Sequence, residues 1–466
     1  MKRRDFLTLA GSTIGEHALA SVIARAPFAP RVGVRPPDHR LRIENCTLEI
    51  GKGISISTVA YNGQVPGPIL RLSEGKPVTI EVTNATSNAD LVHWHGLGID
   101  SRNDGAMEEG SPMIEPGKTL LYNFTPRPKG TRWYHTHATA GSNLGLGSYT
   151  GQFGFLLIDG GDDSGHYDQE IHLAIHHWEP SFAPMVETMR ETSANMPLTT
   201  GSDVIYRYAT INQHMLGAGE PIRVKSGQRV LMRLLNASAT ENVVLALPGH
   251  AFRVIAMDGN AVPNPRSVEV LSLAVAERVD AIVEMNQPGV WVLGSTLEKS
   301  RTMGLGIVVE YEGQHGQPVW RDPSPWEWDY ASFGSAEKAQ QPDETFVLTF
   351  RDIGPLNGSQ FDSWTINNKS WPEVDLLTVK KGKRYRLVFR NGSGDQHPMH
   401  LHRHTFEITR IGKTEMSGLF KDVVNVMPLD SVAVDFVADN PGDTLIHCHQ
   451  QLHMDFGFMQ LIRYTG

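Results

Sequence analysis

The chain has 466 residues, more than one hydrophobic core usually supports, so about two to four domains are expected. Its formal net charge is -9, and acidic and basic residues are mixed along the chain with no basic stripe or polybasic anchor. Nucleic acid is therefore not an expected partner. No segment reaches the ~20 apolar residues of a membrane-spanning helix, so membrane insertion is not expected either. A diffusible small molecule is the expected substrate.

The N-terminus has the features of an export signal. The paired arginines Arg3 and Arg4 follow Lys2, and a short stretch of small and apolar residues comes next. This order is typical of a twin-arginine signal peptide, which we assign to residues 1–30 with cleavage between 20 and 30. The mature protein is accordingly expected in the periplasm or outside the cell, delivered by the twin-arginine export machinery.

Short β-strands dominate the chain from residue 41 onward. Runs such as 78–82, 154–158 and 229–234 are alternating or β-branched, and Gly, Pro, Asn and Asp punctuate them. Helical periodicity over a dozen residues is scarce. The pattern predicts an all-β fold built of β-sandwiches.

One phrase occurs three times: a turn glycine, a strand and a closing asparagine. It covers 74–84, 226–236 and 381–391, about 150 residues apart. Repetition on this scale predicts three sandwich domains, near 40–160, 165–312 and 343–466. The polar stretch from 312 to about 343 would be the linker before the last domain.

Half of the 20 histidines fall in four tight clusters, all in the first and third repeats. On a strand, residues two apart share a face, so each His-x-His pair is predicted to direct two imidazoles at one point. Such a pattern indicates metal binding. The clustered histidines are His93, His95, His135, His137, His397, His400, His402, His447, His449 and His453.

Cys448 is predicted to face the opposite side of its strand from His447 and His449. One cysteine and two histidines form the trigonal site of electron-transfer copper, and His397 and His453 are the candidates to complete it. Two short backbone links would then join this site to a histidine-bound cluster. Zinc is a chemically possible alternative, although a zinc site would not need a cysteine flanked by histidines that point elsewhere.

This pattern resembles the three-domain, laccase-like multicopper oxidases over residues 41–466. The resemblance implies cupredoxin-like Greek-key domains and four copper ions that reduce O2 to water with electrons from a small reductant. It implies that His397, Cys448 and His453 bind the type 1 copper. It implies further that His93 and His400 bind the type 2 copper. The implied ligands of the type 3 pair are His95, His135, His137, His402, His447 and His449.

Two acids and two departures from the family pattern bear on the chemistry. Asp104, eleven residues after His93, matches the family's acid near the oxygen channel, and Asp395 resembles the acid beside the electron-entry histidine. Both are predicted catalytic residues. Phe458 stands where the family often has an axial methionine, and the adjacent Met459 should face away. Met454 stands where bacterial cuprous oxidases carry a proton-relay glutamate. Asp455 is the candidate substitute, although its side chain is expected to point to a different side.

The expected reductants are phenols or aromatic amines. The main alternative is a periplasmic cuprous oxidase serving copper tolerance, but neither 346–371 nor 406–427 holds the methionine cluster that suits Cu(I). A non-catalytic cell-envelope homologue is the other alternative, which the complete ligand set disfavours. A copper nitrite reductase would lack the paired type 3 ligands.

Overall fold

The computed structural model describes residues 36–160, 166–184, 201–355 and 359–465. The signal peptide predicted at 1–30 lies outside the described residues. Within the described ranges, no helix is long and apolar enough to cross a membrane.

The first domain contains eight strands in two four-stranded sheets, ordered β2-β1-β4-β6 and β3-β8-β7-β5. Its core lies between them, where Ile80 and Val82 of one sheet join Leu156 and Ile158 of the other in one buried cluster. The helix α1 spans Ser101–Asp104. The strands are β1 (His39–Gly51), β2 (Ile54–Tyr61), β3 (Leu70–Ser73), β4 (Val78–Asn84), β5 (Val92–His93), β6 (Thr119–Phe124), β7 (Gly130–Thr136) and β8 (Phe153–Asp159).

The middle domain has a six-stranded sheet, β12-β9-β14-β19-β16-β17, a five-stranded sheet, β13-β21-β20-β15-β18, and a hairpin, β10-β11. The helix α2 spans Glu298–Thr302. The strands are β9 (Gln169–Trp178), β10 (Ser181–Pro184), β11 (Ser202–Ile205), β12 (Tyr208–Ile211), β13 (Ile222–Val224), β14 (Arg229–Asn236), β15 (Val243–Ala246), β16 (Phe252–Met257), β17 (Asn260–Val268), β18 (Val270–Leu273), β19 (Arg278–Glu284), β20 (Val290–Ser295) and β21 (Gly306–Tyr311).

The third domain repeats this plan with sheets β23-β22-β25-β30-β27-β28 and β24-β32-β31-β26-β29. The helix α3 spans Gln451–Asp455. The strands are β22 (Glu344–Pro355), β23 (Asp362–Ile366), β24 (Leu377–Val379), β25 (Arg384–Asn391), β26 (His397–Leu401), β27 (Phe406–Ile411), β28 (Thr414–Lys421), β29 (Val423–Val426), β30 (Ser431–Val437), β31 (Thr444–Cys448) and β32 (Met459–Tyr464). The fold is thus the predicted all-β arrangement of cupredoxin-like sandwiches.

The repeated phrase has a physical explanation. Its glycines adopt positive φ at the turn before the strand, at Gly75, Gly227 and Gly382. Each closing asparagine is buried, and its side-chain amide donates to a carbonyl four or five residues ahead and to a second carbonyl at least 30 residues further along the chain. Its Oδ1 accepts from the backbone N–H two residues on. The asparagine therefore fixes the exit of the strand identically in each domain. The three residues are Asn84, Asn236 and Asn391.

The stretch predicted as a linker also packs into the protein. A 3₁₀ turn at Tyr330–Phe333 buries its first and last side chains, and the Tyr330 hydroxyl donates to Glu277 of the middle domain. The composition of the stretch is that of a linker, but two aromatic side chains anchor it to the core.

Candidate metal centre

The clustered histidines lie between the first and third domains, where strand register brings them together. In the first domain β5 pairs with β7 so that His93 lies opposite His135. In the third domain β26 pairs with β31 so that His400 lies opposite His447. All ten are buried, and eight of them meet in a single cluster, while His397 and His453 lie apart from it with Cys448.

The structure differs in one detail from the prediction that both histidines of a His-x-His pair lie on a strand and point to one place. The second histidine of every pair lies just beyond its strand and reaches the cluster from the following loop, as the ends of β5, β7, β26 and β31 show. In three of the four pairs the two histidines therefore separate, whereas His93 and His95 share a group. His135 and His137 belong to different ligand groups, as do His447 and His449.

Ring nitrogens converge in three groups, within each of which the candidate ligand atoms lie within 4.8 Å of one another. In the group that takes two of its three members from the third domain, Nε2 of His447 lies 3.0 Å from Nε2 of His402 and 3.4 Å from Nε2 of His137. The other close pairs are His93 Nε2 with His400 Nε2 and His95 Nδ1 with His135 Nε2, each 3.4 Å apart. The groups are His93, His95 and His400; His95, His135 and His449; and His137, His402 and His447.

The outward nitrogens of the same rings are hydrogen bonded. His135 Nδ1 donates to the Thr136 carbonyl and His447 Nδ1 to the Cys448 carbonyl, over 2.7 and 2.8 Å. His400 Nδ1 donates to the Asp422 carbonyl over 2.7 Å. These bonds fix the tautomer, so a lone pair on the inner nitrogen of each ring points into the cluster.

Asp104 lies against this cluster, as the sequence predicted for a site acid. Its Oδ2 accepts from His402 Nδ1 at 2.8 Å, and its backbone carbonyl accepts from His93 Nδ1 at 2.8 Å. Asp104 thus orients one histidine of the first domain and one of the third. Gly105, with φ 91°, permits this approach, because a Cβ there would lie 1.8 Å from the Val92 carbonyl oxygen.

A second buried carboxyl group, Glu109, was not predicted. It accepts from the Leu445 N–H at 2.6 Å, and its Oε1 is 3.5 Å from His402 Nδ1. Burial, together with the charge of Asp104, raises the pKa of Glu109 well above its usual range. Nothing in its spacing from the histidine pairs distinguishes it from an ordinary turn acid.

Cys448 forms a separate group with His397 and His453. Its Sγ lies 3.5 Å from His453 Nδ1 and 3.8 Å from His397 Nδ1. Ser393 Oγ donates its hydrogen to Asn391 Oδ1. Because that hydrogen is used, Ser393 Oγ is the acceptor and His397 Nε2 the donor in the 2.7 Å bond between them. The Nδ1 lone pair of His397 is therefore directed toward the sulfur.

Phe458 is the neighbour of this group, as predicted, and Met459 is not. The Phe458 ring centroid is 4.8 Å from that of His397, and the ring stacks with Trp364 at 5.7 Å. Met459 packs in another cluster, with Met454 and Leu445.

The two remaining acids near this group have different surroundings. Burial raises the pKa of Asp395 to about 7, and the charges of Asp203, Asp352 and Asp362 add to the effect. The hydrogen-bond partner of His397 Nε2 is Ser393, not Asp395. Asp455 accepts from two backbone N–H groups of the first domain and therefore serves as an anchor for α3.

These donor sets suit copper. Burial lowers the pKa of His137 and His400 to about 3, so the imidazoles are neutral and able to ligate. Neither ring nitrogen of His449 has a hydrogen-bond partner among the residues that the structure describes, although the ring is buried. Burial raises the pKa of the Cys448 thiol, so a bound metal ion would be needed to keep it a thiolate. Lone pairs of neutral imidazole rings that converge on one point form a binding site for a cation.

A buried Cys–His₂ group joined through the backbone to a histidine cluster defines a copper-dependent oxidoreductase. Multicopper oxidase family models match residues 42–163, 178–314 and 350–465. The chain belongs to the multicopper oxidase family.

Individual proteins that are similar to this chain are also multicopper oxidases and laccases. Multicopper oxidase MmcO of Mycobacterium tuberculosis is 30% identical, and the alignment covers 96% of this chain and 90% of the relative. Laccase-2 of Botryotinia fuckeliana is 26% identical, with 93% and 83% covered. Among solved structures, a multi-copper oxidase from Pseudomonas thermotolerans is similar with a TM-score of 0.71 and 26% identity, over 91% of this chain and 98% of that one.

The protein is therefore a copper-dependent oxidoreductase that uses O2 as its electron acceptor and a small molecule as its reductant. Four copper ions, one of type 1, one of type 2 and two of type 3, are its cofactors, and the histidine groups fit them.

Proposed function

We propose that each group holds the copper that the family resemblance implies. Cys448, His397 and His453 bind type 1, and His93 and His400 bind type 2. The type 3 ions are bound by His95, His135 and His449 on one side and by His137, His402 and His447 on the other. The convergence of donor atoms in these groups supports the assignment.

When bound, the copper ions take up electrons one at a time and supply four of them to O2. The protein provides the connection between the two sites, because Cys448 is covalently joined to His447 and His449. It also provides an acid. Asp104 Oδ2 is placed to take part in delivering the four protons that two water molecules require, because it is hydrogen bonded to the outward nitrogen of His402, directly behind the cluster.

For the reductant we propose phenols and aromatic amines. The observation that carries this is an aromatic row beside α3, the helix that bears His453. Phe456 lies 4.4 Å from Phe361, which lies 4.7 Å from Phe182. Phe182 and Phe456 are only partly buried, so these rings could contact an aromatic substrate, and Asp395 would offer a carboxyl group for a hydroxyl or amine hydrogen.

Cu(I) is the second candidate reductant. Besides burial, the charges of three other acids, Asp203, Asp352 and Asp362, raise the pKa of Asp395. A concentration of negative charge near the type 1 group would attract a cation.

Oxygen consumption separates these substrates. With the copper-loaded enzyme, we expect a higher kcat/KM for a phenol and an aromatic amine than for Cu(I). A markedly faster Cu(I) reaction would reverse the assignment. Asp395→Asn should lower kcat/KM for the phenol while the blue colour stays, and an unchanged value would remove Asp395 from the mechanism.

A pair of variants tests the electron and proton routes. Cys448→Ser should abolish the blue colour and substrate oxidation while the histidine-bound copper is retained. Asp104→Asn should keep the blue colour and slow O2 reduction by about 10²-fold or more. Substrate oxidation in Cys448→Ser, or full turnover in Asp104→Asn, would contradict the corresponding role.

We propose that the protein is exported by the twin-arginine pathway to the periplasm or the cell exterior. The support is the basic start with Arg3 and Arg4. Replacing both arginines with lysine should leave the folded enzyme in the cytoplasm. Continued export of that variant would refute the route.

A further inference from the structure

A buried ion-pair cluster links the middle domain to the histidines. Asp422, between β28 and β29, accepts from both terminal nitrogens of Arg278, each at 2.6 Å. Arg132 of the first domain donates to the same carboxylate at 3.1 Å. The side chains of all three residues are fully buried.

Asp422 contacts two of the proposed copper ligands. Its Oδ1 lies 3.0 Å from His95 Nε2, and its backbone carbonyl accepts from His400 Nδ1 at 2.7 Å. His95 directs its other nitrogen, Nδ1, toward His135. Asp422 therefore determines which nitrogen of each ring carries hydrogen and which is left to bind a metal.

The middle domain holds Asp422 in place. Besides the two bonds from Arg278, Asp258 Oδ2 lies 3.3 and 3.1 Å from the backbone nitrogens of Asp422 and Val423. Packing here is close, because a Cβ on Gly96 would lie 2.6 Å from Asp422 Oδ2 and 3.0 Å from Arg278 Nη2. Burial would raise the pKa of Asp422, but the positive charge of Arg278 outweighs it and lowers the pKa to about 2.

We propose that Arg278 is a positioning residue for the type 2 and type 3 copper ions. By clamping Asp422 it sets the orientation and donor atoms of His95 and His400, so the domain that supplies none of the proposed ligands controls the affinity of the cluster. The inference rests on the copper assignment proposed above. Loss of a hydrogen-bond partner behind a metal ligand typically lowers metal affinity 10–100-fold.

Arg278→Lys is the primary test, because it keeps the charge and removes the two-pronged contact. The matched control is Arg233→Lys. Arg233 also forms a buried contact between the middle and first domains, through Asp280 and Thr131, and neither of these is a proposed ligand. A purely structural role would make the two variants behave alike.

Copper affinity is measured by competition with a chelator, using the type 2 electron paramagnetic resonance signal and the type 3 absorption. The blue type 1 band provides an internal reference. We expect a 10–100-fold loss of type 2 and type 3 affinity in Arg278→Lys, with the blue band unchanged and Arg233→Lys equal to wild type. Equal type 2 and type 3 affinity in Arg278→Lys and Arg233→Lys would overturn the proposal.

Two further variants keep the result interpretable. Asp422→Asn should show the same selective loss of type 2 and type 3 copper affinity. It replaces Arg278→Lys as the test if that variant does not fold. Cooperative unfolding of the copper-free protein shows whether a variant folds. His95→Ala tests the assignment itself. If that variant retains the type 3 signal, the assignment fails. If it loses the signal while Arg278→Lys and Asp422→Asn keep wild-type affinity, only the positioning role fails.

Discussion

At the scale of single residues, Phe458 sets the chemistry of the proposed type 1 copper. Its ring lies 4.8 Å from the rings of both His397 and Phe350, and it has no atom able to ligate. Without an axial sulfur, less electron density stabilises Cu(II), so Phe458→Met should lower the reduction potential. Each ~59 mV would correspond to a tenfold change in the electron-transfer equilibrium, and oxidation of the least reducing phenols should slow first. Redox titration of the blue band measures the shift.

The matched control for this prediction is the next residue. Met459 packs with Met454 and Leu445 away from the copper group, so Met459→Leu should leave the potential unchanged. A shift in Met459→Leu with none in Phe458→Met would show that the sulfur, and not the ring, is next to the metal.

Residue-level prediction from the sequence works where the information is local. The spacing within each His-x-His pair is visible in three letters, and the structure brings all ten histidines and Cys448 into the ligand groups. The residues that orient them were only partly predictable. Asp104 was recognised by its distance from His93, but Asp422 lies 327 positions from His95 and meets it only in the folded protein.

At the scale of elements, the short helix α3 joins the domains. Asp455 accepts from the backbone N–H groups of Ala140 and Gly141 at 3.0 and 2.8 Å, and Gln451 Oε1 accepts from Ser148 at 3.0 Å. The same helix carries His453. Docking of α3 on the loop of the first domain therefore fixes the position of a proposed type 1 ligand.

Weakening this contact should cost stability. Asp455→Asn removes the charge from two hydrogen bonds, each worth ~1.5–3 kcal/mol, so we expect the free energy of unfolding to fall by about 2 kcal/mol. Chemical denaturation followed by fluorescence measures it. Asp443→Asn is the control, because its ion pair with Arg463 is exposed and screened by solvent, so its loss should lower the free energy of unfolding less. Equal losses in both variants would mean that the α3 contact contributes no more than a surface pair.

Element prediction succeeded for the strands and failed at their ends. Alternation correctly separates Cys448 from His447 and His449, but His449 is already beyond β31. Where a strand stops depends on hydrogen bonds to other strands, such as the pairing of β31 with β26, and these are not local. The glycine–strand–asparagine phrase was visible as a repeat, whereas the carbonyls that Asn391 binds were not.

At the scale of the molecule, the histidine cluster depends on three domains, although only two provide proposed ligands. The first and third domains contribute the histidines, while Arg278 and Asp258 of the middle domain hold the Asp422 loop. Internal repetition could predict three similar sandwiches. It could not predict how they pack, because interdomain ion pairs join residues without a shared motif.

Copper should therefore stabilise the protein unevenly. A ligand that binds only the folded state stabilises it by about 2.7 kcal/mol at 100 times its Kd, and the strands next to the proposed ligands should gain most. Removing copper should speed amide hydrogen exchange in β7 and β31, which carry His135 and His447, by about tenfold or more. The middle-domain strand β14 is the internal control, since it carries no proposed ligand. Comparison of copper-loaded, copper-free and reconstituted protein by hydrogen exchange measures this. Equal acceleration in β14 would mean that the three domains open as one unit, and that copper holds the whole chain and not the junction of its first and third domains.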